Sequence, residues 1–399
     1  MKTLLFVDDD PNVLQGLQRQ LRPMRQEWNM NFAGGGAAAL AFMAMHPVDI
    51  IISDMMMPGM DGSQLLSEVL KRHPQTVRII LSGHAEREAL LRLVGPAHQY
   101  LSKPCNADEL RLAIVRALAL RDLLGNERLK QLATRIKNLP TLPALQGQLT
   151  EELRKDSPST ERIGEIIARD IGMTAKILQL VNSAFFGLAQ PINNPLDAVI
   201  YLGLNTVRSL ALSAGIFSQY DQKMCRAFSL DVLARHSWTT GVMARGVAQM
   251  QHQELRILEQ CFLSGLLHDV GQLILASGLP EEYTEVIVRA GRESLPVWQV
   301  EREIFGASHA DVGAYLLALW GLPNPIIEAV AKHHEPAQCV APGFSPAIAV
   351  HAGDVFAHEF SAINTEVPPP QLDTVHLAAL GLAGRIETWR AGCKELIEA

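Results

Sequence analysis

Short apolar runs that each end in a polar group recur through the first 100 residues. Leu4-Leu5-Phe6-Val7 precedes Asp8-Asp9-Asp10, and Val48 to Ile52 precedes Asp54. Val77-Arg78-Ile79-Ile80-Leu81 precedes Ser82-Gly83, and Gln99-Tyr100-Leu101-Ser102 precedes Lys103-Pro104. Continuous runs rich in β-branched residues suit parallel strands covered on both faces. With a further run near 28–32 and helical spacing in between, the pattern predicts strands near 3–7, 28–32, 48–53, 77–81 and 99–102. That alternation implies an α/β, doubly wound, five-stranded parallel sheet, with its ligand crevice beyond the strand ends.

A last helix of this unit starts near Asn106 and keeps helical spacing into a linker that Pro140 and Pro143 close. Beyond Pro143 strand signals almost vanish. Helical segments follow one another, among them 204–220, 228–250, 255–267, 308–319, 345–359 and an unbroken 372–395, and they predict an all-α bundle. Val367-Pro368-Pro369-Pro370 is a stiff break before the last helix. The expected division is 1–122, a linker 123–137, an output unit 138–340 and C-terminal helices 341–399 packed on it.

The chain has 399 residues, 48% hydrophobic and 19% charged, enough for two or three domains with cores of their own. A net charge of −7 and a pI near 6.0 give no broad basic footprint, so nucleic acid is not an expected partner. Five scattered cysteines without a CxxC pair suggest reduced thiols. With three aspartates by residue 10 no signal peptide is expected, no apolar run is expected to span a membrane, and the expected location is cytoplasmic.

Carboxylates from two adjacent strand ends would repel one another unless a cation sat among them, and an all-oxygen set suits Mg²⁺. A carboxylate, a hydroxyl and a lysine beside that cation are the parts needed to accept a phosphoryl group. The motifs VDDDP, SDMMMPGMDG, LSG and YLSKP resemble those of two-component receiver domains. The resemblance implies Asp54 as phospho-acceptor, with Asp8, Asp9, Asp54 and the backbone carbonyl of Met56 holding Mg²⁺. It implies Ser82 as the switch hydroxyl, Lys103 as partner of the phosphoryl group and Tyr100 as the aromatic switch.

Nine of the thirteen histidines lie in the helical part. His268-Asp269 can offer an imidazole and a carboxylate to one ion, and His236, His309, His333, His334 and Asp354 stand on other predicted helices. A lone helical histidine is more often a core or surface group than a ligand. As a set, these seven residues suit Fe, Mn, Ni or Zn and could activate water for phosphoester hydrolysis. The stripe Ile177, Leu178, Leu180, Val181, Phe185 and Phe186 reads as core, Asn182 and Ser183 as local hydrogen-bonding residues, and Trp320 as packing at a helix end.

LPTLPAL, the run from Lys176 to Leu212, FLSGLLHDVGQLILA and the stretch from Ile304 to Pro336 resemble an HDOD domain, a relative of the HD phosphohydrolases. HDOD domains are generally signalling outputs. The seven residues fall in the order of the metal ligands of HD-GYP relatives that hydrolyse cyclic di-GMP. Two positions depart from those relatives: Gln272 stands where they carry a lysine, and AQCVAPGF replaces their Gly-Tyr-Pro loop. The expectation is a response regulator with a sensor histidine kinase upstream and a protein target downstream, and receiver resemblance implies homodimer pairing. The alternative is a phosphorylation-gated metal phosphohydrolase acting on a nucleotide or cyclic dinucleotide.

Overall fold

The computed structural model describes all residues except 83–95, 104, 106, 124–125, 137–138, 156, 183–187, 189, 213–217, 220–228, 340–342, 361–366 and 399. Ser183, Phe185 and Phe186 therefore lie outside the described residues, as do Cys225, the helix expected between the fourth and fifth strands, and the hydroxyl of Ser82.

Five strands, β1 (Lys2–Val7), β2 (Trp28–Ala33), β3 (Ile50–Asp54), β4 (Val77–Ser82) and β5 (Gln99–Ser102), form one parallel sheet in the order β2-β1-β3-β4-β5. Helices α1 (Pro11–Gln20), α2 (Gly36–Met45), α3 (Gly62–Arg72) and α4 (Ala107–Leu123) flank it. Local chemistry sets the helix starts. Asp10 accepts from the Asn12 N–H with Pro11 in the first turn of α1, and Asp61 forms a capping box with Gln64 on α3. The register places Asp54 opposite Leu81 and Val7 opposite Ser53, so the acidic ends of β1 and β3 emerge together.

The rest of the chain is a helical bundle: α5 (Glu127–Arg135), α6 (Pro143–Arg154), α7 (Thr160–Ala168), α8 (Ile171–Val181), α9 (Pro195–Leu202), α10 (Leu204–Leu212), α11 (Leu230–Met250), α12 (Leu255–Leu267), α13 (Val270–Gly278), α14 (Pro280–Glu293), α15 (Val297–Phe305), α16 (His309–Leu319), α17 (Asn324–Lys332), α18 (Pro346–Phe360), α19 (Thr374–Ala379) and α20 (Ile386–Glu398). The stripe Ile177, Leu178, Leu180 and Val181 is core, and Trp320 is buried at the end of α16. Asn182 clasps both backbone groups of Ile192.

Three expectations need correction. The stretch 204–220 is not one helix: within the described residues the helix covers Leu204–Leu212, and Ser218–Gln219 pair in parallel with Pro140–Thr141 as a short ribbon. The stretch 372–395 is not one helix. Gly381 at φ +73° follows α19, and Leu382 N–H returns to the Leu377 carbonyl, so the chain turns before α20 begins. Leu255–Gly278 does have the length and apolar composition to span a bilayer, but 78% of its apolar window is buried inside the fold, where it serves as core.

The sheet and the bundle share one continuous apolar cluster, running from Phe6, Ile52 and Ile79 through Ile114 and Ala117 of α4 to Leu316 and Trp320. Polar groups register the contact. Buried Arg78 donates to the Thr134 carbonyl at 2.7 Å and to that of Thr76 at 2.9 Å. His98 accepts from the Arg78 backbone N–H at Nδ1, which leaves its Nε2–H to donate to Thr134 at 3.0 Å. Gln99 donates to the Ala318 carbonyl at 3.0 Å, and Gln179 of α8 donates to the His98 carbonyl at 3.2 Å. Lys176, also buried, stands 5.4 Å from the centre of the Trp320 ring. Burial depresses Lys176 to about 7 and Arg78 to about 9.

Candidate functional sites at the strand ends and in the bundle

At the carboxyl edge of the sheet, Asp8 and Asp54 are buried while Asp9 is exposed. Lys103, just beyond β5, bonds both acids: its Nζ is 2.7 Å from Asp8 Oδ2 and also contacts Asp54 Oδ1. Asp54 Oδ2 accepts from the Met56 N–H at 2.8 Å. Burial raises the Asp54 pKa against the opposing pull of Lys103, and Asp8 adds to the rise. Lys103 is raised in turn, because the two acids outweigh the effect of its own burial. Two buried carboxylates facing one crevice are a hard, oxygen-only donor set that fits Mg²⁺. Tyr100 is buried in the sheet core. Ser82 ends β4 opposite Ser102.

The second cluster lies where six helices converge. His236 comes from the middle of α11. His268 ends α12 and Asp269 opens α13, so the joint between two helices aims both inward. His309 starts α16, His333 and His334 follow α17, and Asp354 comes from α18. A Cβ on Gly271 would stand 1.8 Å from the His309 carbonyl oxygen, so only glycine lets α13 come this near to α16.

All seven residues read as ligands from the sequence meet here. His309 Nε2 is 3.2 Å from Asp269 Oδ1, and His268 Nε2 is 3.3 Å from Asp269 Oδ2. His236 Nε2 is 3.0 Å from Asp354 Oδ1, and His334 Nε2 is 2.9 Å from His309 Nε2. Donor atoms of His236, His268 and Asp354 lie within 4.8 Å of one another, as do those of His268, Asp269 and His333 and those of His309, His333 and His334.

The Nε2 atoms of His236, His268 and His333 and Oδ1 of Asp354 are buried without a hydrogen-bond partner. His236 Nε2 and Asp354 Oδ1 approach to 3.0 Å without good hydrogen-bond alignment. Orphaned buried polar atoms cost about 1–3 kcal/mol each, and shared coordination of a cation would relieve them. An imidazole and carboxylate set of this kind fits a divalent transition metal.

Burial is outweighed at His309 by Glu301 and Asp269, which push it up to about 10. Burial, reinforced by His268 and His309, drives His333 down to about 3. For Asp269, His268 and His309 overcome burial and hold the carboxylate well below its usual range.

Three neighbours were not assigned from the sequence. Glu301 of α15 holds His309, His358 lies one turn after Asp354 with Nδ1 3.1 Å from its carboxylate, and His351 bonds the His333 carbonyl. His358 could have been found from its i,i+4 spacing to Asp354; Glu301 carries no such signal. A cavity of about 630 Å³ opens over the cluster, lined by Gln272, Trp298, His358 and the strap Val367–Pro370 among others.

Residues 4–115 match the response regulator receiver domain, and residues 139–336 match the HDOD domain. An uncharacterized protein of Treponema pallidum (strain Nichols) is 25% identical over 206 residues, 51% of this chain and 39% of its own length. The response regulator GtcR of Aneurinibacillus migulanus is 32% identical over 126 residues, 32% of this chain and 51% of its own. The chain thus spans about half or less of the length of these curated relatives. The crystal structure of the MmoQ response regulator from Methylococcus capsulatus str. Bath aligns with 64% of this chain and 98% of its own at 25% identity and a TM-score of 0.50. The strand-end acids, the convergent helices and these matches make the chain a response regulator, in which a receiver domain is joined to an HDOD domain.

Proposed function

We propose that Asp54 accepts a phosphoryl group from a sensor histidine kinase and that the receiver passes the change to the HDOD domain through β5. A carboxylate oxygen of Asp54 forms the new O–P bond as the bond from phosphorus to the donor breaks. Asp8, Asp9, Asp54 and the Met56 carbonyl are the groups that would hold Mg²⁺, which when bound neutralises phosphoryl oxygens. Lys103 supplies the fixed positive charge, and Ser82 and Tyr100 are the switch residues of this reading.

The observation that carries the proposal is the length of β5. Lys103 touches the acceptor at one end of a four-residue strand, and Gln99 at the other bonds to Ala318 in the output domain. A charge added at Asp54 competes for Lys103 and biases that contact. The output is an altered interaction with a downstream protein.

Hydrogen exchange on the full chain with acetyl phosphate and Mg²⁺ tests it. Peptides covering 96–102, 131–136 and 315–320 should change in the native protein and not in Asp54→Ala. The same exchange in both, or in neither, rejects the reading.

The orphaned Nε2 and Oδ1 atoms favour a second activity, a metal-dependent phosphohydrolase in the HDOD domain acting on a nucleotide or cyclic dinucleotide. A transition metal there supplies Lewis acidity toward a phosphoester. Fe, Mn, Ni or Zn that co-purifies and is lost in His268→Ala/Asp269→Ala, together with phosphodiester turnover, supports it. Metal-free, inactive protein leaves the HDOD domain as an interaction module.

A further inference from the structure

Glu301 is fully buried on α15, away from every motif that marks the cluster. Its Oε2 accepts from the His309 backbone N–H at 2.7 Å and lies 2.7 Å from His309 Nδ1. Its Oε1 is buried without a partner. Burying a carboxylate this completely costs several kcal/mol unless its charge is used. Starting α16 does not need that charge, because Ser308 and Asp311 already form a capping box there.

Three histidines surround Asp269, and each has Nδ1 engaged so that Nε2 faces inward. His268 meets the Gly265 carbonyl at 2.6 Å and His333 the Val330 carbonyl at 2.8 Å. Only His309, among these three, meets a carboxylate through Nδ1. A carbonyl fixes the tautomer; a carboxylate also makes the ring a stronger donor at its other nitrogen. On the opposite side of the cluster, His236 has neither ring nitrogen hydrogen-bonded. The two sides are unequally prepared.

We propose that Glu301 is a positioning residue that orients His309 and strengthens its Nε2, so that a divalent transition metal loads first on the His309–Asp269 side and second on the His236–Asp354 side. This rests on the metal reading of the HDOD cluster. It adds an order of filling and a residue that sets it.

Co²⁺ titration of the full chain, followed by visible absorption and competition with a chelator, tests the proposal. The native protein should bind in two steps. Glu301→Gln, which keeps shape and an oxygen acceptor, should weaken the tighter step about 10- to 100-fold and shift its absorption bands. The weaker step should stay within about threefold, whereas His236→Gln should remove it. Tight binding and bands unchanged in Glu301→Gln overturn this proposal alone. Absence of Co²⁺ binding by native protein overturns the metal reading itself.

Should Glu301→Gln fail to fold, the native protein with one equivalent of Co²⁺ decides. Its hyperfine-shifted exchangeable N–H signal should vanish in His309→Gln and persist in His236→Gln; the reverse overturns the proposal.

Discussion

Gln99 Nε2 lies 3.0 Å from the carbonyl oxygen of Ala318, tying the last strand of the receiver to the end of a helix whose first residue is His309. Receiver and HDOD cluster are thus connected by two short rigid elements, β5 and α16. Coupling is expected to follow elements that have discrete packed arrangements.

Removing that bond separates stability from signalling. Gln99→Ala should cost about 1 kcal/mol in urea unfolding, the usual worth of one hydrogen bond. Phosphorylation at Asp54 should continue while exchange in 315–320 stops responding. A response of native size in that segment would rule out Gln99 as the connection.

Lys103→Ala should slow acetyl phosphate labelling about 100-fold, the order expected when one preorganised donor is lost. It also removes the charge that opposes burial at Asp54, so the Asp54 pKa should rise further. Phosphate incorporation measured against pH would show the labelling limb displaced upward.

Lys176 makes stability depend on pH. Its folded value, about 7, lies below the ordinary 10.5, so the unfolded chain binds more protons between those values. The Lys176 contribution to stability therefore rises as pH increases through this window, by up to roughly 1.4 kcal/mol per unit, and its cost is fully present below about pH 7. Lys176→Met should flatten the rise in denaturation midpoints between pH 7 and 10; an unaltered slope contradicts a neutral buried amine.

Gly271→Ala should destabilise by about 2–3 kcal/mol or more, because the added methyl meets backbone rather than a movable side chain. Thermal unfolding measures the loss. If the metal reading holds, metal content should fall with it, since His309 must move.

Much of this was legible in the chain. The acids and the lysine follow apolar strands, so the pattern that predicts the sheet also places Asp8, Asp54 and Lys103 at one edge. The seven bundle residues could be collected because imidazole and carboxylate side chains stand out among Leu, Ile and Ala. Glu301 could not be, since VEREIF reads as an ordinary amphipathic turn and only packing shows that Glu301 is buried while Glu303 is 52% exposed. Arg78 was hidden for a related reason: it sits inside an apolar strand, and its carbonyl partner Thr134 is 56 residues away.

The shared core also bears on inheritance. Receivers are readily imagined as interchangeable cassettes, yet one grafted here without counterparts of Arg78, His98 and Gln99 would leave the Thr134 and Ala318 carbonyls unmatched. It would also present a last helix shaped for a different neighbour. The unit that could be moved intact runs from β1 at least through α5, and the HDOD surface around α8 and α16 would have to match it.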